Sequence, residues 1–134
     1  MIEVNDLRIR NILLYKDKYH YVSSLSLDID DEYEDLIGIV ESGKNTNEIC
    51  QWNRSYGEDL IAAPITEAIL KKAGFSGLNF WHKKGFFWRI NIRGPKFYMV
   101  MDEDDIANWI ELQYVHQLQN LYYALTNEEL VINF

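Results

Sequence analysis

The stretch 114–126, Tyr-Val-His-Gln-Leu-Gln-Asn-Leu-Tyr-Tyr-Ala-Leu-Thr, contains no Lys, Arg, Asp or Glu. Its apolar residues Val115, Leu118, Leu121, Tyr122 and Leu125 recur at helical spacing, so it reads as a helix with one core-facing stripe. His116, Gln117, Gln119, Asn120 and Tyr123 fill the opposite face. In a chain of net charge -8, a solvent-facing helix surface would carry Lys and Glu. An amide-rich, uncharged face predicts cover on both sides. That cover is either the chain itself or a partner, and few residues remain after Asn127 to supply it. The reading therefore leans toward a second copy, most simply a two-fold homodimer.

The remainder is organised in short β-prone runs. Runs 9–15 and 19–27, joined at Lys16-Asp17-Lys18, predict a hairpin. Six acids fall within 28–35, which reads as a solvated loop. Strand candidates follow at 36–40, 49–52 and 60–63, so the first 63 residues read as a small meander or barrel. Pro64 breaks the pattern. Thr66 is positioned to cap a helix over 66–73, with Glu67 in its first turn, Lys71 and Lys72 in its last, and Gly74 as the stop. Runs 79–82, 86–92 and 96–101 read as consecutive antiparallel strands, 108–112 as one more, and 130–134 as an edge strand. The expected fold is α+β: mainly antiparallel strands with two helices packed on them, in a single domain over 1–134.

The segment 114–126 followed by Glu128-Glu129-Leu130 resembles the C-terminal signature of small uncharacterised proteins encoded by phages and prophages of bacteroidete bacteria. Leu7-Arg8-Ile9-Arg10-Asn11 is similar to that group's opening, and Pro64-Ile65-Thr66-Glu67 with 70–75 is similar to its middle helix. The chain departs from the group at Arg10 and Asn127, where the group has Gly. The resemblance implies a mobile-element setting in a bacterial cytoplasm. It implies no activity and carries over no catalytic residue.

Charge is unevenly distributed. From Ala68 to Met101 there is no acid, yet Lys71, Lys72, Lys83, Lys84, Arg89, Arg93 and Lys96 make up seven of the chain's 13 Lys and Arg. Alternation along 86–92 puts Phe87, Arg89, Asn91 and Arg93 on one face and Phe86, Trp88, Ile90 and Ile92 on the other. Lys83, Lys84, Phe87, Arg89, Arg93 and Lys96 therefore form a candidate surface for nucleic acid or another polyanion. In the structural alternative these cations solubilise a sheet and pair with the acidic loops. The acidic balance of the chain disfavours generic phosphate-backbone binding.

Other motifs fail on inspection. The segment 38–45, Gly-Ile-Val-Glu-Ser-Gly-Lys-Asn, approaches a phosphate-binding loop. It lacks the Ser or Thr that would reach magnesium, and β-prone Ile39-Val40 lie inside the would-be loop. The acidic clusters 28–32 and 102–105 lack the glycine of a calcium loop. His20, His82 and His116 share no ligand spacing with one another or with Cys50. No catalytic, metal or cofactor residue is assigned. With one Cys, no basic or apolar leader and no apolar run near the ~20 residues of a membrane helix, the expectation is a cytoplasmic protein with no membrane partner. It would bind protein, with nucleic acid as the rival.

Overall fold

A computed structural model describes residues 7–26, 35–44, 47–52 and 60–134. The chain divides into two compact units, Met1–Ala63 and Pro64–Phe134, and the boundary falls at the proline that interrupts the strand pattern. The fold class is the expected one. Two antiparallel sheets account for most of the regular structure, and the helices are few and short.

The first unit is a five-stranded sheet of β1 (Ile12–Tyr15), β2 (Lys18–Ser26), β3 (Asp35–Glu41), β4 (Asn47–Trp52) and β5 (Leu60–Ala62). Its order is β4-β3-β2-β1-β5. It is a meander whose last strand returns beside the first, with β4 and β5 as its two edges. Lys16 and Asp17 form the two-residue hairpin loop, and both have positive φ, 50° and 62°. That is the backbone that matches strand twist at such turns. Leu13, Val22, Ile37 and Ile39 are fully buried. A bulge between Val22 and Ser24 keeps the β2 face in step, so that Val22 pairs with Ile39 and Leu25 with Ile37. Without it, strict alternation would set Ser24 on the core face. The bulge also brings Ser24 opposite Gly38, where an added Cβ would lie 2.2 Å from the Ser24 hydroxyl. A side chain at 38 would force the Ser24 and Ser23 hydroxyls to move.

The second unit begins with α1 (Glu67–Lys72). Thr66 accepts from the Ile69 amide at 3.2 Å, as its capping role requires. Gly74, at φ 92°, reverses the chain, and Phe75 is buried beneath the helix end. A meander follows: β6 (Ser76–Gly77), β7 (Phe80–Lys83), β8 (Phe86–Arg93), β9 (Lys96–Val100) and β10 (Ile110–Leu112), in the order β10-β9-β8-β7-β6. The strand expected at 108–112 starts later, because Ile106–Asn108 form a single 3-10 turn. The tail 130–134 is not a strand. It runs back to α1, where the Asn133 amide donates to the Lys72 carbonyl at 3.0 Å and Leu130 is buried.

The last helix, α2 (Val115–Thr126), differs from expectation in rotation rather than in extent. Its buried residues are Val115, His116, Leu118, Gln119 and Tyr122, whereas Leu121 is half-buried and Leu125 is exposed. Tyr122 packs on Phe86 of β8 at 4.8 Å between ring centroids, and Phe86 in turn meets Phe75 edge-on at 6.1 Å. Anchoring the helix through Tyr122 turns Gln119 inward and Leu121 and Leu125 outward. Asn127 ends the helix in the left-handed region, φ 59°, with its amide on the Tyr123 carbonyl.

Candidate binding face on the second sheet

One face of the second sheet meets the core: Trp81, Ile90, Met99 and Leu112 are all buried. The other face carries Phe87, Arg89, Arg93 and Lys96, whereas Lys83 pairs in register with Phe86 and so lies on the core side, apart from the surface expected of it. Register places Phe80, Asn91, Tyr98 and Glu111 side by side across four strands, and Arg93 opposite Lys96.

This face is covered in part by the connection between β9 and β10, and that cover is acidic. Arg89 forms an ion pair with Glu103. Trp109 lies between the aromatic rings of the face, with its centroid 5.9 Å from Phe80 and 6.0 Å from Tyr98. The Arg93 guanidinium stands 5.0 Å over the Trp109 ring. Trp109 donates its indole N–H to the Asp102 carbonyl at 3.0 Å. The acids of 102–105 organise the loop itself: the Asp104 amide donates to Asp102 Oδ1, and Asn108 donates to Asp105 Oδ2. Lys96 lies 3.9 Å from Glu111. Lys83 donates from Nζ to the Ala73 carbonyl at 2.8 Å, where a cation suits the C-terminal end of α1. Of the six residues expected to form a polyanion surface, Lys83, Arg89, Arg93 and Lys96 are thus engaged by the chain itself. Lys84 is exposed, and Phe87 is 96% exposed. Each exposed pair of this kind is worth only about 0–1 kcal/mol, so the neutralisation is readily undone.

Beneath Trp109 lies an unbalanced polar group. Asn91 is 4% exposed, and its Nδ2 donates to the Asn79 carbonyl at 3.0 Å. Its Oδ1 is buried with no hydrogen-bond partner. A buried acceptor left unsatisfied costs about 1–3 kcal/mol.

The five residues expected to form an interaction face on α2 separate. Gln117 serves its own helix: Oε1 accepts from the Gln113 and Tyr114 amides at 2.8 and 3.1 Å. His116 and Gln119 are both 3% exposed, and His116 stacks on Tyr114 at 5.8 Å. Asn120 is half-buried, and Tyr123 is 39% exposed. The uncharged character of this stretch thus has two structural sources, burial of His116 and Gln119 and a capping role for Gln117. These residues do not form one open patch.

The histidines stand apart. His20 is buried in β2 beside Tyr15, with Nδ1 2.9 Å from the Lys18 carbonyl oxygen, while His82 is exposed on β7. Among the described residues no three His, Cys, Asp or Glu groups gather as for a metal ion, and no helix is long and apolar enough to cross a membrane. The acidic segment 28–34, residue Asn45 of the loop-like motif and the Cys50 side chain lie outside the described residues; Gly38–Glu41 of that motif are strand. Sequence reasoning missed Trp109, Phe80, Tyr98 and Glu103 as members of one face. The available signal was a tryptophan directly after an acidic, Asn-containing turn, where a solvated loop has no use for an indole.

Compared with protein families, curated proteins and solved structures, the chain has no match.

Proposed function

We propose that this chain is a non-enzymatic binding protein that acts through protein contacts, in the phage or prophage setting and bacterial cytoplasm that the sequence resemblance implies. The observation that carries this reading is Phe87. It projects from β8 near the Lys84-Gly85 turn at 96% exposure, on the same strand face as Arg89. Aromatic residues, Phe among them, and arginine are residue types enriched at protein–protein interfaces. The nucleic-acid rival needs free cations, and the acidic β9–β10 connection and Glu111 engage Arg89 and Lys96.

The test compares wild type with Phe87→Asp in affinity capture from host-cell extract, with melting temperatures measured in parallel. A partner retained by wild type and lost by the variant, at unchanged stability, supports the reading. Identical capture by both proteins, or salt-sensitive binding of wild type to oligonucleotides of any sequence that Phe87→Asp abolishes, would sink it. Light scattering at tens of micromolar tells self-association from a foreign partner, since a dimer affinity of about −6 to −7 kcal/mol would already show there.

A further inference from the structure

Asn91 lies at the centre of its sheet face, flanked in register by Phe80 on β7 and Tyr98 on β9. Trp109, near 6 Å from both rings, roofs it. Asn91 Oδ1, on the same sheet face as these rings, is a buried acceptor with no donor. The roof is carried by a solvent-exposed loop, with Trp109 itself half-buried against Phe80 and Tyr98. Residues 101–108 are all exposed, and the indole is fastened through one hydrogen bond to Asp102, the Arg93 stack and the neighbouring Arg89–Glu103 ion pair.

From this geometry we infer that the position filled by the Trp109 ring is a binding site for a nucleobase that presents an N–H donor and carries a phosphate. A flat ring in place of the indole keeps the contacts with Phe80 and Tyr98, and its N–H satisfies Asn91 Oδ1, which the indole leaves unserved. Movement of the loop also releases Arg93 from Trp109 and Arg89 from Glu103, so two cations border the site as it opens. Those cations select an anionic ligand and disfavour the methylated ammonium that an aromatic box takes in other settings. With the loop in place Arg89 and Lys96 face acidic partners, which weakens the attraction of this face for generic polyanions. The site uses Asn91 and Trp109, not Phe87, and stands or falls independently of the protein-contact reading.

The experiment is calorimetric titration of the full chain with AMP and with purine riboside monophosphate, which differs by loss of the amino group alone. AMP should bind about tenfold more tightly, the size expected of one hydrogen bond to a buried acceptor. That preference should vanish in Asn91→Leu, which keeps the side-chain volume and removes the acceptor. Trp109→Ala should tighten AMP binding by about tenfold, because the competing roof is gone. Glu103→Gln, which loosens the roof without removing a core ring, should act in the same direction and serves if Trp109→Ala fails to fold. Oligo(dA) measured beside AMP identifies the natural source: tighter binding per base points to a single strand, tighter AMP to a free nucleotide. Equal affinity for the two monophosphates, an unchanged preference in Asn91→Leu, or no AMP binding by wild type or folded roof variants would overturn the inference. So would a trimethyl-lysine peptide that binds where AMP does not.

Discussion

In the second unit the β7–β8 and β8–β9 connections turn at Gly85 and Gly94, with φ of 80° and 58°; in the first unit the β1–β2 connection turns at Lys16 and Asp17, with φ of 50° and 62°. The backbone demand is the same and the residues are not. Left-handed geometry costs a residue with a Cβ roughly 1–2 kcal/mol relative to glycine. Arg10, at φ 76°, adds a third such position to the first unit, where its amide donates to the Val22 carbonyl at 2.7 Å. The second unit's one comparable residue, Asn127, belongs to the residue type that tolerates this region best. Among the described turns, the β1–β2 hairpin of the first sheet therefore holds strain that the β7–β8 and β8–β9 turns avoid, while its β3–β4 connection turns at Gly43, φ 84°, as the second sheet's turns do.

The largest effect that bears on this comparison comes from the cores. Leu118→Ala removes a fully buried side chain from α2 and should cost about 2–5 kcal/mol. Leu121→Ala, at a half-buried position on the outward side of the helix, should cost about 1 kcal/mol. Denaturant unfolding of the two variants checks the rotated buried face: equal losses would restore the stripe read from spacing alone. Leu13→Ala applies the same cut to the first unit. Hydrogen exchange on all three variants shows whether each loss stays within its own sheet. Deprotection of both sheets by either mutation would mean that the two units unfold together and that their turns cannot be compared separately.

The turns themselves give a smaller effect of opposite sign in the two units. Gly85→Ala meets no atom within 4 Å of the new Cβ, so its cost is purely that of the backbone, about 1–2 kcal/mol. Lys16→Asn with Asp17→Gly installs the residues preferred at such hairpins and should stabilise the first unit by about 1 kcal/mol. A neutral double substitution would show that contacts of the native side chains offset the strain, and the contrast between the units would then lie in composition alone.

The same contrast decides what was legible in the sequence. Strands β7, β8 and β9 were bounded to within a residue or so because glycine marks their ends. Thr66 and Gly74 marked α1 in the same way. In the first unit the hairpin was found from its apolar runs, while the bulge at Val22–Ser24 left no mark beyond an extra serine. The Arg10 turn was obscured by a residue that the position does not favour. At the candidate face, alternation placed Arg89, Asn91 and Arg93 together and raised pairing with acidic loops as the structural alternative. It could not show that Glu103 and Trp109 return onto that face, since loop trajectory has no period. Nor could spacing show that Tyr122 on Phe86 would set the rotation of α2, because packing partners far apart in sequence decide it.

The smallest expected effect is electrostatic and lies at the far end of the first sheet. Glu41, paired with His20 in register, is held by Lys44 at 2.9 Å and approached by Lys18 at 3.6 Å. The hydrogen bond from Lys44 is the main cause that holds its carboxyl below the ordinary glutamate range, with the charge of Lys18 contributing less. The unfolded chain therefore binds the Glu41 proton more readily than the folded one. By linkage the pair's contribution is present above the unfolded carboxylate pKa of about 4.3 and is lost as pH falls through the lower folded value. Acid unfolding of Glu41→Gln should accordingly come at the same pH as wild type or slightly higher, since its stability is slightly reduced near neutrality and converges on that of wild type once Glu41 is protonated. Because the group is in part open to solvent and its Lys partners are exposed, the neutral-pH difference should also shrink in high salt. A difference that survives high salt would show that Glu41 supports the β2–β3 end through more than its charge, and would make this end of the first sheet, unlike its β1–β2 turn, a well-built part of that unit.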